Sequence, residues 1–272
     1  MPADTARTEE KSPPLPAWKG GQSPTRRSLT IVVACLNEEP NLRNTYENIS
    51  AAVREVTLDD YEILIVDDGS RDRTGQIADE IAAANPKVRV IHHETNLGFG
   101  ASMRRGIEAS RMNYMIVLPG DNEISLPSIR NIFRSVGLAD VVLPFTVNME
   151  LRPRSRRFVS RAFTLAMNTA FLCDVQYYNG PAVHRLDLLR WIGVDTVGFA
   201  FQSIMVTKIL RMGFTVCEVP MYIQTKAAYR SSAVRMRNVM SVMNSFVKLF
   251  FEIYRTPSLY PVPFSVKRVV PD

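Results

Sequence analysis

The apolar run Ile63-Leu64-Ile65-Val66 ends in Asp67-Asp68-Gly69-Ser70, and an amphipathic stretch follows at 74–84. Such a run reads as a strand buried on both faces, the habit of a central strand in a parallel sheet. Two adjacent carboxylates at its end are costly unless something uses them. In open α/β sheets, ligands lie in the crevice beyond the carboxyl ends of the strands. A carboxylate there can accept hydrogen bonds from a nucleobase N–H or a ribose hydroxyl. For Asp68 alone the competing reading is a cap on the helix that follows.

The pattern recurs along the chain. Residues 29–35, 88–91 and 114–118 are further β-rich runs. They pass into Leu36-Asn37-Glu38-Glu39-Pro40-Asn41, Asn96-Leu97-Gly98-Phe99-Gly100 and Pro119-Gly120-Asp121-Asn122-Glu123. Helical patterns follow at 42–56 and 99–110. Strands alternating with helices of this length predict an α/β fold, a doubly wound and mostly parallel sheet with helices on both faces.

A chain of 272 residues suffices for one large domain with appendages. The first 28 residues hold Pro2, Pro13, Pro14, Pro16 and Pro24 and no apolar segment, so they are expected to be a disordered tail and not a signal peptide. The domain is expected over 29–235, an amphipathic helix over 236–255 and a proline-rich tail over 256–272. No stretch reaches the roughly 20 apolar residues that span a bilayer. Residues 239–254 come nearest, but Asn244, Lys248 and Glu252 share one helical face. Such a helix suits a membrane interface, packing on the domain, or a homo-oligomer contact.

The net charge of +6 is unevenly spread. Residues 1–150 carry 16 Lys and Arg against 21 Asp and Glu, and residues 151–272 carry 17 against 6. An acidic half suits a nucleotide with a metal ion, and a basic half suits an anion. Nucleic acid, a lipid phosphate and an anionic membrane surface all fit that half by charge alone. Cys35, Cys173 and Cys217 lack metal-ligand spacing and read as reduced core residues of a cytoplasmic protein. His92 and His93 read as loop histidines. Asp121 and Glu123, two apart beyond a strand, are hard oxygen donors suited to Mg²⁺ or Mn²⁺ on a diphosphate. The competing reading is a turn before a helix near Leu126.

The motifs Asn37-Glu38-Glu39-Pro40-Asn41-Leu42, Val66-Asp67-Asp68-Gly69-Ser70, Asn96-Leu97-Gly98-Phe99-Gly100 and Asp121 resemble family 2 glycosyltransferases of the GT-A fold. Asn179-Gly180, Phe201-Gln202 and Glu218-Val219-Pro220 extend the resemblance, which covers roughly 29–237. Within the family it points to dolichol-phosphate mannose synthases and bacterial polyprenyl-phosphate sugar transferases. It implies inverting transfer of a hexose from a GDP- or UDP-sugar to a polyprenyl or dolichyl phosphate, at the cytoplasmic face of a membrane held by peripheral contact. Nucleic acid is then no partner. Asp121 and Arg161 would be catalytic, with Asp121 and Glu123 on the metal. Asn37, Glu38, Asp67, Asp68, Gly98, Gly120, Asp121 and Gln202 would hold the nucleotide sugar. Arg152, Arg157, Arg161, Lys226, Arg230 and Arg235 would meet phosphate. The chain departs from the family at several positions: Pro119 stands where a first metal-site acid is usual, Glu123 where a Gln is usual, Ile204 where lipid-phosphate relatives carry an acid, and Tyr229 and Ser232 where they carry Gly and Lys. Where hydroxyl-acceptor members carry an acid, residues 198–204 have none. An ionised phosphate acceptor needs no general base, whereas a hydroxyl does. Two rivals stay open: a hydroxyl acceptor with Asp195 as base, and a non-catalytic binding protein.

Overall fold

β1 (Ser28–Cys35) sends Leu29, Ile31, Val33 and Cys35 to one face and Val32 to the other, and both faces are covered. β2 (Asp60–Asp67) and β4 (Tyr114–Pro119) flank it in parallel, and β3 (Val88–His92) adds beyond β2. Period-two alternation with both faces apolar is what makes these strands central. The computed structural model describes residues 26–193, 200–224, 236–261 and 265–271.

Among the described residues the sheet has eight strands in the order β3-β2-β1-β4-β6-β5-β7-β8. β5 (Val141–Thr146), β7 (Thr215–Met221) and β8 (Lys267–Val269) run parallel to one another, and β6 (Val183–Arg185) is antiparallel to β4 and β5. All strands but β6 therefore end on the same side. The expected proline-rich tail supplies β8. Arg268 fastens it, with an ion pair to Glu218 at 3.1 Å and a hydrogen bond to the Asp174 carbonyl.

α1 (Leu42–Arg54), α2 (Thr74–Ala84) and α4 (Leu126–Arg134) pack on one face. α3 (Phe99–Ala109), α6 (Leu186–Ile192) and α7 (Phe201–Arg211) cover the other, with α5 (Arg154–Phe171) and α8 (Met236–Arg255) continuing that layer. The GT-A architecture is thus present, with its C-terminal helix. α8 docks through Ser245, Leu249 and Ile253 and leaves Met240, Met243, Val247, Phe250 and Phe251 exposed. Glu252, from the expected polar face, pairs with Lys208 of α7 at 2.7 Å.

His184 sits in the middle of β6, fully buried. Neither ring nitrogen has a hydrogen-bond partner among the described residues. Burial pushes its pKa down to about 4 from the ordinary 6.5. The unfolded chain therefore takes up a proton between those values that the folded chain refuses, and stability falls as pH drops through this window. The full effect is about 3 kcal/mol, with nothing lost above the window. His184→Leu is expected to flatten that slope, read from denaturant midpoints at neutral pH and pH 5.

Candidate active site

The strand ends converge because β1, β2, β3 and β4 are parallel neighbours. The register sets Cys35 beside Asp67, and Asp67 beside His92. Asp67 and Asp68 are both buried. The Ser70 N–H donates to Asp67 Oδ1 at 3.1 Å, and His92 Nδ1 meets Oδ2 at 3.1 Å. Asp68 is bonded through both oxygens. Leu97 N–H donates to Oδ1 at 3.0 Å, Gly98 N–H donates to Oδ2 at 2.8 Å, and His93 Nδ1 lies 2.7 Å from Oδ1. Asp68 therefore pins the Gly98 loop at the start of α3. Gly69 makes this approach feasible: its φ is +71°, and a Cβ there would lie 2.5 Å from the Thr95 carbonyl carbon.

His92 and His93 thus serve the acid pair, a role that reading them as loop histidines missed. Only the parallel pairing of β2 with β3 reveals it. His92 also meets Asp79 at 3.0 Å. Burial opposes protonation of His92, but the bonds to Asp79 and then Asp67 outweigh it and raise the pKa above 6.5.

Asn37 and Glu38 brace the rim. Asn37 has φ +56°, a left-handed conformation that Asn tolerates better than most residues other than glycine. Its N–H donates to Ser70 Oγ at 2.9 Å, and its Oδ1 accepts from the Arg71 N–H at 2.8 Å. The Glu38 N–H donates to Thr74 Oγ1 at 2.7 Å, and its carboxylate accepts from Asn41 at 2.7 Å. Gly120 continues the ladder, donating to the Ala34 carbonyl at 2.9 Å. Asn122, also at φ +56°, accepts from Asn48 at 2.8 Å and fixes the turn that presents Asp121 and Glu123.

The Glu123 N–H donates to Asp121 Oδ1 at 3.0 Å. The Glu123 carboxylate pairs with Arg152 at 3.1 Å, which joins a candidate metal ligand to a candidate phosphate ligand. Arg157 is half-buried and Arg161 exposed on α5; neither side chain makes a hydrogen bond or ion pair among the described residues. Gln202 lies in the first turn of α7, its Nε2 buried without an acceptor among the described residues. Asp195, Lys226, Arg230 and Arg235 lie outside the described residues.

The donor set accommodates a divalent cation in one way. No cluster of three or more acid, His or Cys ligands exists among the described residues. Magnesium, however, is commonly held by one or two carboxylates plus substrate phosphates. Asp121 offers such a carboxylate where negative charge gathers: after burial, Glu38, Asp67, Asp121 and Asp72 each push the Cys35 thiol pKa up.

The chain is 31% identical to the undecaprenyl-phosphate mannosyltransferase of Micrococcus luteus, over 71% of this chain and 82% of that one. It is 29% identical to the polyprenol monophosphomannose synthase of Mycolicibacterium smegmatis, over 72% and 77%. Its fold is similar to that of glucosyl-3-phosphoglycerate synthase from Mycobacterium tuberculosis, with TM-score 0.61, 20% identity and coverage of 82% and 80%. It is also similar to a mannosyltransferase from Pyrobaculum calidifontis solved with GDP-Man and Mn²⁺, with TM-score 0.60, 19% identity and coverage of 84% and 66%. The profile of glycosyl transferase family 2 matches residues 30–235, and with these relatives it shows that the chain belongs to that family.

Proposed function

We propose that this glycosyltransferase moves a hexose from a nucleoside diphosphate sugar to a polyprenyl phosphate, with inversion at the anomeric carbon. One observation carries the acceptor assignment. α5 exposes Arg154 and Arg161 together with Phe158, Val159 and Leu165, and it packs beside α8, whose outward face is Met243, Val247, Phe250 and Phe251. This surface is cationic and apolar at once, and it begins two residues after Arg152, beside the strand-end acids. An anionic amphiphile matches both properties. The relatives named for polyprenol and undecaprenyl-phosphate substrates support the same reading.

In the reaction an acceptor phosphate oxygen attacks the anomeric carbon. The new bond is phosphate oxygen to carbon; the bond that breaks runs from that carbon to the diphosphate, which leaves with the electron pair. The nucleophile is already ionised, so the absence of an acid over Phe201-Gln202-Ser203-Ile204 is no handicap. Asp67 and Glu38 orient the nucleoside, and Asp121 would hold the cation. A bound Mg²⁺ or Mn²⁺ would neutralise charge on the departing diphosphate. Arg161 would draw the acceptor phosphate in.

No helix among the described residues is long and apolar enough to cross a membrane. We place the α5–α8 surface on the bilayer as a peripheral contact, with each basic residue contributing about 1 kcal/mol near anionic lipid. The protein is expected to float with anionic liposomes at low salt and to be released by salt. Met243→Ser with Phe251→Ser should abolish flotation and leave thermal stability nearly unchanged. Arg161→Ala should lower transfer to lipid phosphate far more than nucleotide binding. Flotation by the double variant equal to wild type would remove α8 from the membrane contact.

A further inference from the structure

Arg152 is a tightly held cation near the strand-end acids. Its side chain is 10% exposed. Nη2 donates to Glu123 at 3.1 Å and Nη1 to the Tyr177 hydroxyl at 3.3 Å, while Nε is buried with no acceptor among the described residues. An unmet donor on a buried guanidinium is costly. The backbone holds this arrangement. Glu123 is anchored through its N–H to Asp121, and its carbonyl accepts from the Gln224 N–H at 2.7 Å. Tyr177 sits just before Gly180, where a Cβ would run into the Pro144 carbonyl, so the 177–180 loop lies tight against β5.

We propose that Arg152 receives the diphosphate of the sugar donor and that Glu123 and Tyr177 are positioning residues that aim it. This rests on the nucleotide-sugar reading above and deepens it. A planar guanidinium matches phosphate oxygens bidentately, and it stays charged at any working pH. Glu123 thereby acts through Arg152 and not on the cation. The arrangement also suits Pro119: where the first acid of the metal site is missing, an arginine paired with Glu123, two residues from Asp121, supplies positive charge that a stronger cation site would supply elsewhere.

The test is calorimetric titration of the full chain with a nucleoside diphosphate and with the monophosphate of the same base, at several Mg²⁺ concentrations. Arg152→Ala is expected to weaken diphosphate binding about tenfold to a hundredfold, the scale of a hydrogen bond to a charged group. Monophosphate binding should stay within about twofold, since only the second phosphate is addressed. Arg152→Lys should recover part of the loss, and it serves as the test if the alanine variant unfolds. Glu123→Gln should weaken diphosphate binding at every Mg²⁺ concentration without raising the Mg²⁺ requirement. The assignment is overturned if Arg152→Ala and Arg152→Lys bind diphosphate like wild type. It is equally overturned if Glu123→Gln only raises the Mg²⁺ requirement, which would make Glu123 a metal ligand. Wild-type protein that binds neither nucleotide overturns the donor reading itself, and the Arg152 assignment with it.

Discussion

Asp121→Asn is expected to cut sugar transfer about a hundredfold to a thousandfold, the range seen when one preorganised charge-stabilising group is lost. Its position explains the size. The Asn122 turn fixes the backbone, and Asp121 projects from the end of a strand buried on both faces. No cluster of three or more acid, His or Cys ligands exists among the described residues, so a cation held there would depend on Asp121. Excess chelator on the wild type should reproduce the loss, and thermal unfolding should show that the variant keeps its fold. Full activity of the wild type in excess chelator would sink the metal assignment. Charge on the leaving diphosphate would then fall to protein cations such as Arg152.

Asp68→Ala should cause the largest loss of stability at the site, about 3–5 kcal/mol. The buried carboxylate accepts from two part-buried backbone N–H groups at the start of α3 and contacts the largely buried side chain of His93. Removing it leaves the His93 side chain and those two N–H donors without their acceptor, at roughly 1–3 kcal/mol for each group that water does not reach. Asp68→Asn keeps one acceptor and should cost less. Asp67→Ala makes the contrast. Its protein partners are one N–H and a half-exposed histidine, so stability should change modestly while nucleoside affinity falls by up to a few kcal/mol. Denaturant midpoints together with nucleotide calorimetry separate the two. A result with the two variants exchanged would reverse the roles given to the pair.

The central strands were legible because burial on both faces leaves unbroken apolar runs: β1, β2 and β4 lie where those runs lie. β6 was not, since Val183-His184-Arg185 is too short to show a period and owes its place to the neighbours on either side. β8 was hidden among prolines and is held by Arg268 across the sheet edge. For α8, periodicity showed two unlike faces but not which one docks. The buried stripe Ser245, Leu249 and Ile253 is narrow, and Glu252 pairs with Lys208 while staying exposed. At the site, residue types and order were visible, so Asp67, Asp68, Asp121 and Glu123 stood out. Their pairings were not. The Glu123–Arg152 contact joins a strand end to the entry of a helix 29 residues later, and such contacts follow from tertiary packing.

Transfer of labelled hexose from GDP- and UDP-sugars is the most direct measurement, with polyprenyl phosphate and the matching polyprenol offered side by side. The account predicts a lipid-linked sugar monophosphate from the phosphate acceptor, dependent on Mg²⁺ or Mn²⁺ and lost in Asp121→Asn, with little product from the alcohol. Efficient transfer to the polyprenol and none to the phosphate would contradict it.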